Sequence, residues 1–367
     1  MAARRANSDA DREGTGRPAR SGRAARARIV VAGVLACAVF AGGNARADDA
    51  AYDRTVARLA DRIEAIPRHR ALREAIDARL ATLGPDAGAR LWDTLEACQL
   101  RPIRVPGLFY ASHPQSGADL SVVSDWLGAP VPMIPTDEVG TREENAATIA
   151  RAILDATSDG GRAALLSASK GSADVATALV THPEIRPRIA LWIDLVGAID
   201  GTPLLDPDGP ARVQSRSWLP ARTADSFAAT ARAASLSSAA IRGIFVVHLA
   251  AFPRVADVSE QARPAFEWLR TRGPNDGYVL LADLLRRPGR VLVIRHTDHY
   301  LRSEAVPARV VAALHVAIDA VGGACATNVP VAAGEAPEAS ERAVEHPEDA
   351  DRAERVGGKR AQDEPRR

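Results

Sequence analysis

The spacing of apolar residues changes about one hundred residues into the chain. From residue 101 to residue 322, short apolar runs alternate with stretches in which apolar residues recur every three or four positions. The runs predict six β-strands, at residues 103–105, 131–134, 163–167, 189–196, 244–249 and 291–295. The stretches between them predict helices at residues 118–127, 143–156, 172–181 and 306–321. This alternation is typical of an α/β fold, with a mostly parallel sheet of about six strands and helices on both faces.

Several segments fall outside this alternation. Residues 48–100 show helical spacing and predict an N-terminal extension of two or three helices ahead of a main domain at residues 101–322. Residues 204–242 are rich in Ala, Ser and Arg and predict a helical cap over the carboxyl edge of the sheet. Residues 253–273 predict a second, shorter insertion. Residues 323–367 carry too few apolar side chains to offset the entropy of ordering the chain, so we expect a disordered tail.

The N-terminus has the pattern of an export signal. Arginines precede an apolar run of 15 residues, and an Ala-Arg-Ala segment at 45–47 places small residues where a signal peptidase inspects them. We therefore expect a signal peptide at residues 1–47, cleavage before Asp48, and an exported (periplasmic or secreted) mature chain. The apolar run is shorter than the ~20 residues that span a bilayer, so we expect no stable membrane span in the mature chain. A lipoprotein anchored through Cys37 and an uncleaved anchor are the alternatives.

Charge and cysteine content narrow the range of partners. The whole chain has a formal net charge of +1, and residues 1–47 contain nine Arg and three acidic residues, so cleavage would leave a net charge of −5. A mildly acidic chain lacks the basic surface that nucleic-acid binding requires, and we expect no nucleic-acid partner.

Cleavage would also leave two cysteines, Cys98 and Cys325. They predict either a disulfide formed after export or two free thiols.

One serine stands where a predicted strand runs into a predicted helix. Ser169 is the centre of Ser-Ala-Ser-Lys-Gly at residues 167–171. A sharp turn that raises a nucleophilic serine above a sheet needs small residues two positions before and after that serine. The helix that follows would direct the positive end of its dipole at the hydroxyl. The pattern predicts a nucleophile, with a plain helix N-cap as the alternative.

An acid and a histidine follow Ser169 along the chain. Serine, then acid, then histidine is the order found in hydrolases whose nucleophile lies on a strand-to-helix turn. Asp276 lies in an Asn-Asp-Gly loop, and His299 lies in the loop after the last predicted strand. His299 would accept the serine proton as general base, and Asp276 would orient the imidazole and stabilise its charged form. Asp276 could instead be an ordinary turn residue. His296, at the end of the strand, competes with His299 for the role of base.

Two backbone N–H groups are candidates for an oxyanion hole. One belongs to Lys170, directly after the nucleophile, and the other to Leu108, which follows a glycine that could equally be a plain turn residue. For the side chain of Lys170 we expect an exposed position in the first turn of a helix. The alternative is a point charge next to an anionic group of the substrate.

The histidines near the end of the last predicted strand do not have the spacing of a metal site. His296, Asp298 and His299 lie within four residues, but they include no helical i, i+4 pair and have no matching cluster of ligands upstream. We therefore expect no metal and no other cofactor.

From about residue 101 to residue 321 the chain resembles the α/β-hydrolase superfamily, in its lipase- and esterase-like branch. The segments that carry the resemblance are Val-Pro-Gly-Leu at 105–108, Thr-Arg-Glu-Glu-Asn-Ala at 141–146, Ser-Ala-Ser-Lys-Gly at 167–171, Leu-Val-Gly at 195–197, Gly-Thr-Pro at 201–203, Asn-Asp-Gly at 275–277 and Asp-His at 298–299. Ser167 and Ser172 stand where this branch often has glycine.

The resemblance implies an α/β-hydrolase fold and hydrolysis of a carboxylic ester, lipid-like or small-acyl, through an acyl-Ser169 intermediate. The expected partner is therefore a small-molecule or lipid-like ester. Apolar residues of the cap would line its acyl group: Leu204, Leu205, Trp218, Leu219 and Phe227. An amidase or thioesterase would show the same pattern. The rival hypothesis is a catalytically inactive binding protein on the same fold, which the serines in place of glycines favour.

Overall fold

The computed structural model describes most of residues 45–322. The positions it leaves undescribed in that range are residues 85, 114–115, 215–218 and 230–235, together with the side chains of residues 45–47 and 213–214. The predicted tail and nearly all of the predicted signal peptide lie outside the described residues, and so do Cys37, Trp218 and Cys325.

Regular elements account for most of the described chain. The strands are β1 (Leu100–Val105), β2 (Arg162–Ala168), β3 (Ile189–Leu195), β4 (Phe245–Phe252) and β5 (Arg290–Arg295). The α-helices are α1 (Ala45–Glu64), α2 (Pro67–Leu80), α3 (Ala87–Ala97), α4 (Ser121–Leu127), α5 (Arg142–Ala156), α6 (Lys170–Thr181), α7 (Pro210–Gln214), α8 (Ala221–Phe227), α9 (Arg263–Arg270) and α10 (Ala305–Gly322). Within the described residues, short 3-10 helices lie at Pro183–Arg188, Pro203–Leu205, Val255–Asp257 and Ala282–Leu285.

The five strands form one sheet in the order β1-β2-β3-β4-β5, and every neighbouring pair is parallel. The predicted α/β architecture is therefore confirmed. The predicted count of six strands was wrong, because the segment at 131–134 makes only one isolated bridge, between Met133 and Arg104. Pro132 has no N–H to donate and Pro135 follows directly, so the pairing beside β1 does not extend into a strand.

Helices cover both faces of the sheet, and the three helices before β1 are divided between them. On one face, α2, α3, α4 and α10 bury their apolar side chains against β1–β5. On the other face, α5 and α6 pack on β1–β4, and α1 packs on β4 and β5 together with α9. The predicted N-terminal extension thus contributes three helices that are part of the packed core.

The region between β3 and β4, predicted as a helical cap, contains two short helices in its described part. These are α7 and α8, which lie near the carboxyl ends of the strands. Phe227 of α8 is buried, and Thr223 donates a hydrogen bond from its hydroxyl to the carbonyl of Val139, ahead of α5. The cap is therefore attached to the segment that leads into α5.

Among the described residues, one helix is long and apolar enough to cross a membrane by length and composition, namely α10. Half of this helix is buried inside the structure. A core helix of a globular domain has the same features, and Val310, Leu314 and Ile318 of α10 pack on the sheet.

Candidate active site

Ser169 lies in a strained turn between β2 and α6. Its φ is 49° and its ψ is −117°, a conformation that non-glycine residues rarely adopt. Hydrogen bonds hold it there, because its N–H donates to the carbonyl of Leu195 and its own carbonyl accepts from the N–H of Ala198, each at 3.0 Å. The hydroxyl is thereby lifted above the carboxyl edge of the sheet, at the start of a helix.

The small residues around Ser169 have separate structural reasons. A Cβ atom at Gly171 would lie 2.3 Å from the carbonyl oxygen of Pro106, so α6 can pass the loop after β1 only with glycine at this position. Ser167 and Ser172 are fully buried below the turn, where their hydroxyls are 2.8 Å apart. The indole N–H of Trp192 donates to the Ser167 hydroxyl at 2.7 Å. Both serines therefore fit beneath the turn as a satisfied hydrogen-bonded pair.

The structure brings Ser169, His299 and Asp276 together at the sheet edge. His299 Nε2 lies 2.9 Å from Ser169 Oγ, and His299 Nδ1 lies 2.8 Å from Asp276 Oδ2. The imidazole thus bridges hydroxyl and carboxylate. With the proton on Nδ1 donated to Asp276, Nε2 is the acceptor for the serine proton.

The carboxylate of Asp276 is buried, and both of its oxygens accept hydrogen bonds. Its Oδ1 atom accepts the backbone N–H groups of Tyr278 and Val279, each at 2.9 Å, which leaves Oδ2 for the histidine. The backbone N–H of His299 also donates to the carbonyl of Asp276, at 2.8 Å. The acid and base loops are therefore joined by both main chain and side chains.

Neighbouring residues that the sequence did not single out support these loops. The ring of Tyr278 lies 4.9 Å from the imidazole of His299, and its hydroxyl is 3.0 Å from that of Tyr300. On the other side, Asn275 donates from its backbone N–H and from its side-chain amide to the hydroxyl of Tyr52 in α1, each at 3.0 Å. The loop that carries Asp276 thus rests on the first helix.

The competing histidine lies elsewhere. His296 is more than half exposed, and its Nδ1 is 3.1 Å from Asp257. Asp298 accepts the backbone N–H groups of Ser259 and Tyr300 and serves to shape the loop. Across the described residues, no group of three or more His, Cys, Asp or Glu side chains is arranged to hold a metal ion.

A second buried histidine–aspartate pair does not face a nucleophile. His248 Nδ1 lies 2.6 Å from Asp194 Oδ2, and its Nε2 lies 2.8 Å from the carbonyl of Pro288. Both ring nitrogens are thus engaged by acceptors of the protein itself. Of the two buried histidine–aspartate pairs described here, the one at Ser169 has the geometry of a general base.

The loop after β1 lies directly beside the serine turn. A Cβ atom at Gly107 would be 3.6 Å from Ser169 Cβ, which places the next residue, Leu108, at the rim of the site. In the described part of the structure, the backbone N–H groups of Leu108 and Lys170 have no hydrogen-bond acceptor. Both are therefore available to a ligand at Ser169.

The side chain of Lys170 is buried, whereas the sequence predicted an exposed position. Its exposed fraction is 5%, and its ammonium group donates to Asp174 Oδ2 at 2.8 Å, one helical turn further along α6. The expectation of an exposed residue is wrong, because Lys170 points inward to this carboxylate. Burial raises the pKa of Asp174 to about 6, while the charge of Lys170 acts in the opposite direction. The i, i+4 spacing in an otherwise apolar helix was the signal in the sequence.

Apolar residues of the cap region pack next to this site. Leu205, Leu219, Ala224 and Phe227 form a buried cluster with Ala173 of α6, and Leu108 and Phe109 pack against it. An apolar cluster of the cap therefore packs on α6 and on the loop after β1.

No family model and no curated protein sequence matches the chain. Among solved structures, the chain is similar to a metagenomic carboxyl esterase, with a TM-score of 0.50 and 21% sequence identity over 61% of this chain and 76% of the esterase. It is also similar to the mature form of a Bacillus licheniformis lipase, with a TM-score of 0.45 and 18% identity over 54% of this chain and 84% of the lipase. The likeness to the esterase, at this level of identity, establishes the fold. The chain has the α/β-hydrolase fold that its sequence predicted.

Proposed function

We propose that this chain, an α/β hydrolase by fold, is a serine hydrolase that cleaves carboxylic esters through an acyl-Ser169 intermediate. The observation that carries the proposal is the continuous hydrogen-bond chain from Asp276 through His299 to Ser169, with distances of 2.8 and 2.9 Å. Nucleophile, base and orienting acid in hydrogen-bond contact are the signature of an activated serine.

In the proposed reaction, Ser169 Oγ attacks the ester carbonyl carbon while His299 Nε2 takes the hydroxyl proton. The negative charge that develops on the carbonyl oxygen is bound by the N–H groups of Leu108 and Lys170. The imidazolium, held by Asp276, then gives its proton to the leaving alkoxide, and the acyl group stays on the serine. In the second half-reaction, water attacks the acyl carbon while His299 takes its proton, and the imidazolium then returns the proton to Ser169, so that the carboxylic acid leaves and Ser169 is restored.

An apolar cluster in the cap supports the proposed substrate class. The cluster of Leu205, Leu219 and Phe227 lies beside Leu108 and Phe109, so the acyl group is proposed to be a hydrocarbon, whether short or lipid-like. A series of p-nitrophenyl esters from acetate to palmitate measures the preferred acyl length.

The rival hypothesis, an inactive binding protein, was based on Ser167 and Ser172 in place of glycines. The buried hydrogen bond between the two hydroxyls accommodates both serines beneath an intact turn.

The test is covalent labelling with a fluorophosphonate probe, followed by mapping of the adduct. We expect labelling at Ser169, complete loss in Ser169→Ala and strong loss in His299→Ala. His296→Ala is the matched control, since its ring contacts Asp257 and not the serine, and it should label like the wild type. A folded wild-type protein that takes no label would refute the proposal.

We also propose that the chain is exported. Cys98 is disulfide-bonded, and structural disulfides persist in oxidising compartments. After removal of residues 1–47 the only other cysteine is Cys325, which is therefore the proposed partner. N-terminal sequencing of the mature protein and mass spectrometry of its non-reduced peptides test both points. A chain that retains residues 1–47 in the cytoplasm would contradict the proposal.

A further inference from the structure

A buried ion pair begins at Lys170, the residue directly after Ser169. The ammonium group of Lys170 and the carboxylate of Asp174 are 2.8 Å apart, and their side chains are 5% and 0% exposed. Removing two charges from water costs more than an ordinary surface pair returns, so a pair this deep is not explained by stability alone. In the described part of the chain, Lys170 is the sole lysine.

The pair is fixed by directional hydrogen bonds from outside its own helix. Asn145 of α5 donates from its amide to the same Asp174 oxygen at 2.9 Å. The amide oxygen of Asn145 accepts the backbone N–H of Asp137 at 2.9 Å, and the Asp137 carbonyl is 3.4 Å from the Lys170 ammonium. The first turn of α6 is thereby tied to α5 and to the segment before α5.

The cap contacts the same ion pair. The ring of Phe227, at the end of α8, lies 5.0 Å from the ammonium nitrogen of Lys170 and 4.7 Å from the guanidinium carbon of Arg142. Arg142 is also buried, and a cation over an aromatic face is attracted most strongly when it is shielded from water. The charged cluster therefore lies between the serine turn and the cap.

We propose that Lys170 is a positioning residue, whose ion pair with Asp174 holds the first turn of α6 so that the backbone N–H of Lys170 stays aimed at the reacting carbonyl oxygen. The inference rests on the proposed function. The ion pair joins Lys170 to Asp174 one helical turn later and, through Asn145, to α5, so it restrains the first turn of α6, which starts at the Lys170 N–H. A donor that is already in place binds the developing oxyanion without reorganisation.

This role predicts a particular kinetic signature. The oxyanion forms only as the bond to Ser169 forms, so a poorly aimed N–H weakens the transition state and leaves binding of the ester largely unaffected. Loss of the ion pair should therefore lower kcat with little change in KM. A purely structural pair would affect stability and leave the kcat of the folded protein unchanged.

The experiment compares Lys170→Met and Asp174→Asn with the wild type on p-nitrophenyl butyrate, with folding monitored by circular dichroism. Both variants keep the backbone N–H of residue 170. We expect kcat to fall by about tenfold or more, a fraction of the loss seen when an oxyanion donor is removed altogether, with KM within about threefold. Glu267→Gln is the matched control, since Glu267 belongs to an exposed i, i+4 pair with Arg263 on α9, and it should leave both constants unchanged.

Folded single variants with wild-type kcat would overturn the inference and leave the proposed function intact. If the single variants do not fold, the double variant Lys170→Met/Asp174→Asn decides, because it removes both partners of the ion pair together. A folded double variant with kcat lowered about tenfold supports positioning, and one with wild-type kcat refutes it. A wild-type protein that neither hydrolyses the ester nor takes a fluorophosphonate label would instead refute the proposed function itself.

Discussion

Replacement of Asp276 by asparagine tests the arrangement of the site most sharply, because the surroundings dictate how the new amide must lie. Asp276 Oδ1 accepts two backbone N–H groups, from Tyr278 and Val279. An amide NH₂ at that position would face two donors, so the asparagine oxygen takes it. The NH₂ group then points at His299 Nδ1, which must become an acceptor. The proton moves to Nε2, where it blocks transfer from Ser169.

The size of the effect follows from the tautomer. A histidine held in the wrong tautomer costs serine hydrolases a factor of ~10⁴ in kcat, equivalent to about 5 kcal/mol of transition-state stabilisation. Because both backbone hydrogen bonds survive, the fold should be kept. We therefore expect the Tm of Asp276→Asn to lie within a few degrees of the wild-type Tm. The kcat for p-nitrophenyl butyrate should fall by about 10⁴-fold.

Asp298→Asn is the matched control. Asp298 is as buried as Asp276, but its two oxygens accept one N–H each, from Ser259 and Tyr300. An asparagine there must face one of these donors with its own NH₂, at a cost of about 1–3 kcal/mol in unfolding free energy. We expect a lower Tm and nearly wild-type kcat. If Asp276→Asn retains activity within tenfold of the wild type, or if Asp298→Asn is equally inactive, the reasoning about the tautomer is wrong.

Three further variants test the supports of the site and the core. Gly171→Ala places a Cβ atom 2.3 Å from a backbone carbonyl oxygen and should displace the serine turn, lowering the rate of fluorophosphonate labelling about 100-fold. Ser167→Ala leaves the buried indole N–H of Trp192 without its acceptor, and urea unfolding should show a loss of about 1–3 kcal/mol. Burial lowers the pKa of His69 to about 4, so the unfolded chain binds a proton that the folded chain refuses, and stability falls as the pH drops from about 6.5 to about 4. His69→Gln keeps an acceptor for the N–H of Val291 but does not titrate, so its unfolding free energy should lose up to about 3 kcal/mol less than the wild type between pH 7 and pH 4; an identical pH dependence in both proteins would contradict this assignment.

The sequence predicted the elements that have a strong local pattern. Strand β2, the small residues around Ser169 and the order of serine, acid and histidine are all legible in the residues themselves. The segment at 131–134 has the composition of a strand, but a strand also needs consecutive N–H donors, and Pro132 removes one of them. The apolar content of the segment alone did not reveal that this missing donor prevents a strand.

Other features depend on partners that are remote in sequence. The i, i+4 spacing of Lys170 and Asp174 was visible, but their burial depends on Asn145 from α5 and Phe227 from the cap. Helical periodicity likewise indicated that residues 48–100 form helices, without revealing that α1 and α2 lie on opposite faces of the sheet. Such placements are set by which apolar surfaces remain to be covered once the sheet exists.

The contact between Asn275 and Tyr52 makes α1 a support of the loop that carries Asp276, more than two hundred residues later in the chain. A truncation a few residues past the proposed cleavage site would remove the tyrosine hydroxyl that contacts this loop, although no residue of the proposed triad lies there. We therefore expect a protease cut in α1 to lower the proposed esterase activity before the protein unfolds.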